Sequence, residues 1–149
     1  MKIYKRVGSI FSLTQEDAEG LLIFIPPGLT TMRSDFNDFV APLERVFSSD
    51  DGINAYRDNR TGQIVVAHEN KANVLPSRDD AIRIVRAALG VVRRCRLKKI
   101  AMTGIRFAGK YSFPYYMERE LVSWIDYSEF ESVVFVDKRG GFAFIDGEV

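Results

Sequence analysis

The run Leu21-Leu-Ile-Phe-Ile25 shows no alternation between apolar and polar residues. A strand with one wet face alternates, whereas one covered on both faces is apolar throughout. This segment therefore predicts an interior strand of a parallel sheet with layers packed above and below it. Pro26 and Pro27 stop the run at once, because proline withholds its ladder donor, and Gly28 follows with its wider choice of dihedrals. Ser132-Val-Val-Phe-Val-Asp137 has the same buried character.

The remaining elements follow from local signals. Residues 3–10 read as a strand. Ser34 reads as a helix N-cap, with Phe36, Phe39, Val40, Leu43, Val46 and Phe47 at helical spacing and Pro42 imposing a kink or an early break. Residues 48–52 form a loop. Strands at 53–57 and 63–68 flank the turn Asp58-Asn-Arg-Thr-Gly62, which predicts a hairpin.

A helix spans residues 78–95. Ser77 caps it, Asp79 and Asp80 complement its dipole, and Ala81, Ile82, Val85, Ala88, Leu89 and Val92 form its buried stripe. Residues 97–126 then pass from an apolar strand through a glycine-bearing turn into a helix near 115–126. A short terminal strand is expected at 142–145. Mixed at first, then strand-helix-strand-helix-strand, the order specifies an α/β sandwich with a largely parallel centre.

Bulk properties narrow the function classes. With 149 residues the chain is read as one domain, 1–149, with room for a sizeable core. Formal net charge is +1, so no global field recruits nucleic acid or a membrane surface. Cys95 is the sole cysteine and His68 the sole histidine, which leaves no intrachain disulfide and no cysteine or histidine metal cluster. Cys95 is expected to be a partly buried structural thiol and His68 a satisfied core group. The sequence lacks both a spanning apolar run and a signal-peptide pattern, so the cytoplasm is the expected setting.

Candidate chemistry concentrates between Thr103 and Pro114. A loop leaving a strand with Gly104 and Gly109 lets backbone N–H groups converge on an anion, and a following helix adds its positive dipole end. Arg106 and Lys110 add charge, while Tyr111, Phe113 and Phe142 offer an aromatic wall for a base.

Gly104 to Lys110 also spells G-x-x-x-x-G-K. Yet Tyr111 stands where a hydroxyl should hold magnesium, Phe107 is bulky for a phosphate cradle, and 39 residues are too few for the rest of such a domain. Arg83, Arg86, Arg93, Arg94, Arg96, Lys98 and Lys99 form one dense basic region. It lacks interleaved aromatics, so it reads as a solvated helix face more readily than as a nucleic-acid site.

Taken in order, these segments resemble the macro domain, the α/β/α module that binds ADP-ribose and related nucleotides. Gly8-Ser-Ile-Phe-Ser-Leu13 resembles its early Gly-Asp-Ile-x-x-Leu segment, and residues 21–27 its strand into the first ligand loop. Gln63-Ile-Val-Val-Ala-His68 is similar to its Val-Ile-His strand, and residues 97–105 to the strand before its diphosphate loop. Gly109 through Pro114 resembles the ending of that loop, and residues 131–137 the closing strand.

The resemblance implies a three-layer α/β/α sandwich with a mixed, centrally parallel sheet. It places a pocket at the strand carboxyl ends, between the loops 26–31 and 103–114. Gly28 and Thr30 would line the first loop. Gly104, Arg106, Gly109 and Lys110 would hold phosphate, with Tyr111, Phe113 and Phe142 near base or ribose. An acidic residue near the second strand would hold adenine, and Asp17 and Glu19 lie in that neighbourhood.

The family's Asn-Ala-Ala-Asn is replaced by Phe24-Ile-Pro-Pro-Gly28, so the asparagine of hydrolytic members has no counterpart. The expectation is nucleotide binding without efficient catalysis, without cofactor or metal, and compatible with a homo-oligomer. Two alternatives stay open. One is an interaction module whose pocket is closed by bulky residues such as Phe24 and Phe107. The other is an ADP-ribosyl or phosphoester hydrolase using His68 with Asp137.

Overall fold

The apolar run at Leu21 forms the middle of the sheet. In the computed structural model, which describes residues 2–25, 30–70, 74–104 and 130–137, β2 spans Gly20–Ile25 and every residue of it is buried. The other strands are β1 (Lys2–Val7), β3 (Glu44–Ser48), β4 (Ile53–Arg57), β5 (Ile64–Glu69), β6 (Lys99–Met102) and β7 (Ser132–Asp137). They form one seven-stranded sheet in the order β1-β7-β6-β2-β5-β4-β3. The first five in that order run parallel, and β4 pairs antiparallel with both β5 and β3.

Both faces are covered, as continuous apolar strands require. On one face α2 (Arg78–Arg94) packs Ala81, Val85, Ala88, Leu89 and Val92 against Leu22, Phe24, Val66, Ile100 and Val133. On the other, a 3-10 turn (Ile10–Ser12) and α1 (Thr30–Val40) cover Leu21, Ile23, Ile25, Val65 and Ala101. Phe11 of the turn meets Phe39 of α1 with ring centroids 5.2 Å apart, and Phe36 meets Tyr56 of β4 edge-on. This is the three-layer sandwich with a mixed, centrally parallel sheet.

α2 follows the sequence closely. Ser77 accepts the Asp80 N–H at 3.2 Å, Asp79 and Asp80 occupy the first turn, and Arg93 and Arg94 the last. Its buried stripe is wider than the simplest period: Ile84 and Val91 are buried, while Ile82 is only half-buried. The hairpin at 58–62 also forms. Gly62 adopts φ +79, its N–H donates to the Asp58 carbonyl at 2.7 Å, and the Asp58 side chain accepts the Arg60 N–H.

Four expectations are corrected. The first strand stops at Val7, and Ser9 caps the 3-10 turn by accepting the Phe11 N–H. α1 begins at Thr30, so Ser34 lies inside the helix, exposed, and is no cap; the four residues after Ile25 already suffice for a strand-to-helix connection.

Val46 and Phe47 belong to β3 and not to a helix. Proline at 42 disfavours helical dihedrals at Ala41, so α1 stops at Val40, and the Leu43 N–H turns back onto the Val40 carbonyl. β3 is an exposed edge with a bulge between Arg45 and Phe47, and charged residues on such an edge discourage pairing with other chains. Cys95, finally, caps the carboxyl end of α2 beyond its buried stripe and is exposed, not partly buried. The expected helix near 115–126 and the strand at 142–145 lie outside the described residues.

Candidate functional site

Parallel strands all point their carboxyl ends to one edge of the sheet, and ligands of open α/β folds gather there. Along that edge, in spatial order, come Gly8 and Ser9 after β1, Asp137 closing β7, Thr103 and Gly104 after β6, α1 following β2, and Asn70 after β5. Two of the sequence-predicted residues thus belong to adjacent strand ends: Gly104 leaves β6, and Thr30 opens the helix that follows β2. Gly28, Arg106, Gly109, Lys110, Tyr111, Phe113 and Phe142 lie outside the described residues.

The edge is held by hydrogen bonds beyond the regular ladder. Thr103 donates its N–H to the Leu22 carbonyl at 2.9 Å, and its Oγ1 accepts the Phe24 N–H at 2.9 Å. The hydroxyl thereby stands in for a strand carbonyl and fixes where the chain leaves β6. The Gly8 N–H donates to the Asp137 carbonyl at 3.0 Å, and the Asn70 N–H to the Ile25 carbonyl. Sequence reasoning passed over Thr103; the signal was a hydroxyl residue set immediately before Gly104.

Electrostatics at α1 suit an anion. Its amino terminus faces this edge and carries no acidic residue in the first turn, whereas α2 has Asp79 and Asp80 there. Arg33, one turn from the start of α1, donates to the Asn70 carbonyl at 3.4 Å and brings a cation to the same edge. A helix start with a neighbouring guanidinium and no acidic residue in its first turn favours a negatively charged guest.

Other candidates are accounted for elsewhere. Glu19 precedes β2 at the opposite, amino-terminal edge, where its Oε2 accepts the N–H groups of Lys98 at 2.9 Å and Lys99 at 3.4 Å. Asp17 accepts from the Thr14 N–H and pairs with Arg6 at 3.2 Å; the Thr14 N–H above all, then Arg6, holds its carboxyl below the usual range. Gln63, a buried side chain at the foot of β5, donates to the Ala18 carbonyl at 3.1 Å.

His68 is buried on the α2 side of the sheet, 8% exposed, as expected of a core histidine. Burial above all pushes its pKa down, and nearby Arg83 adds to this, against the opposing pull of Asp51 and its backbone carbonyl. It does not meet Asp137: β2 and β6 lie between their strands, a separation of roughly 14 Å at the usual strand spacing. Phe24 is 2% exposed and fills the core beneath α2, so it does not plug the carboxyl edge.

The basic run of α2 is partly neutralised: Arg83 pairs with Asp51 at 3.5 Å and Asp80 at 3.4 Å. Among the described residues no helix is long and apolar enough to cross a membrane.

No protein-family model and no curated protein matches the chain. Among solved structures, the macrodomain of Thermus aquaticus DarG is similar over 91% of this chain and 97% of its own, with a TM-score of 0.53 and 13% sequence identity. Strand order, covered faces and this likeness agree: the chain has a macrodomain-like α/β fold.

Proposed function

We propose that this protein is a divergent macrodomain-type module that binds ADP-ribose or a related nucleotide diphosphate without efficient catalysis. The observation that carries the reading is the carboxyl edge itself. Gly104 departs from β6 beside the strand that leads into α1, and the amino terminus of α1 has Arg33 and no acid in its first turn. Backbone amides, a helix dipole and a cation are what a diphosphate requires. In this reading Gly104, Arg106, Gly109 and Lys110 hold phosphate, Gly28 and Thr30 line the facing loop, and Tyr111, Phe113 and Phe142 flank base or ribose.

Absence of the family's asparagine and the separation of His68 from Asp137 both favour a binder over a hydrolase. Calorimetric titration with ADP-ribose, ADP and AMP tests it. Saturable heat with ADP-ribose and ADP, weaker with AMP, is expected if the diphosphate dominates recognition. Silence with all three at millimolar ligand removes the reading.

A further inference from the structure

β2 and β6 separate at Thr103, and the hydrogen bonds there depart from a regular ladder. The two strands pair in parallel up to Leu22 opposite Met102. The Thr103 N–H then donates to the Leu22 carbonyl at 2.9 Å. In a regular parallel ladder the next bond runs from the Phe24 N–H to the main-chain carbonyl of residue 103. Here the Phe24 N–H donates to the Thr103 Oγ1 instead, at 2.9 Å. β2 continues to Ile25, held on its far side by β5, whereas β6 has ended at Met102.

Satisfying a buried donor is the ordinary explanation for such a hydroxyl. Phe24 is 2% exposed, so its N–H does require a partner. Yet the carbonyl of any residue at 103 would supply one by staying in line. What the hydroxyl adds is a change of path: once Oγ1 holds the Phe24 N–H, the 103–104 peptide no longer has to lie in the ladder. Gly104 is half-buried, and its N–H makes no hydrogen bond among the described residues. In a regular extension of β6 that N–H would turn toward β7 and pair with it. The place matters as well. β5 lies on one side of β2, and β6, the next strand in the chain, on the other. Strand order reverses at this point, and open α/β sheets hold their ligands at such a reversal.

We propose that Thr103 is a positioning residue for the phosphate group of the ligand: by standing in for its own carbonyl, its hydroxyl keeps the Gly104 N–H out of the sheet and available to a phosphate oxygen. The inference rests on the nucleotide reading above and deepens it, because it assigns a role to a side chain that does not itself touch the ligand. Valine has the shape of threonine without the acceptor. At 103 it leaves the carbonyl as the partner open to the Phe24 N–H, which draws the peptide back into the ladder and Gly104 with it. Serine keeps the acceptor and with it the path of the chain.

The test is calorimetric titration of the full chain with ADP-ribose, for the native protein, Thr103→Val and Thr103→Ser, each first shown to be folded by its amide proton–nitrogen spectrum. Thr103→Val should weaken binding about tenfold or more, the scale of one hydrogen bond to a charged group, and Thr103→Ser should restore affinity to within about threefold of native. Rescue by serine separates the hydroxyl from the packing of the side chain. Should Thr103→Val fail to fold, Thr103→Cys, whose thiol is a weak acceptor, takes its place under the same criterion. Native binding left unchanged by the loss of the hydroxyl overturns the inference and spares the nucleotide reading, and so does a serine variant as weak as the valine one. Silence of the native protein at millimolar ligand overturns both.

Discussion

His68 shows how a single side chain can couple fold and solvent. It is the sole histidine, it sits under α2 beside the β3–β4 turn, and burial disfavours its charged form. The unfolded chain takes up a proton near pH 6.5, while the folded ring takes it up only at lower pH. In that interval the unfolded state binds more protons, so stability rises with pH and is lost as pH falls below about 6.5 through the folded value. Asp17 and Asp58, also held low, act only further into acid. Denaturation midpoints should therefore decline between pH 7 and 5 in the native protein, and His68→Gln should flatten that decline. Gly52 belongs to the same corner. Its φ is +80, and a Cβ at this position would stand only 3.2 Å from the Glu69 carbonyl, so it admits no larger residue without strain.

Elements differed in how plainly their residues announced them. β2, β7 and α2 were legible because a short, continuously apolar run, or a wide helical stripe with a cap at Ser77, leaves a strong local pattern. β3 was not. Val46 and Phe47 continue the spacing of α1 by coincidence, and an edge strand with one half-buried residue has no period of its own. Only the loss of helical dihedrals ahead of Pro42 marks the change. The cap on α2 gives a measurable consequence. Ser77→Ala removes the acceptor for the Asp80 N–H, and unfolding in urea should show a loss of about 1 kcal/mol, with Ser77→Gly losing only a few tenths.

At the scale of the whole molecule, the sandwich and its carboxyl edge were readable from order alone, because strand-helix alternation leaves few ways to cover both faces of a sheet. The candidate site was less so. Thr103 gains its role from the Phe24 N–H of another strand, and Glu19 is drawn to the far edge by Lys98 and Lys99; neither partnership leaves a trace in local sequence. Binding at the carboxyl edge should act on the entire fold. ADP-ribose at 100 times its dissociation constant contributes about 2.7 kcal/mol to the folded state, which for a chain of this size raises the thermal midpoint by roughly 5–11 °C. A differential scan with and without ligand measures it, and an unchanged midpoint contradicts binding.

The pairing of β1 with β7 has a consequence for how the protein is made. Lys2 lies opposite Ser132 and Val7 opposite Asp137, so nearly the entire chain separates the two partners. A ribosome delivers β1 long before β7, and during that wait β1 has none of its ladder bonds to β7. Closing so distant a contact is slow. Lys5 and Arg6 on this strand carry the kind of charge that discourages pairing with a wrong neighbour while the strand is unmated.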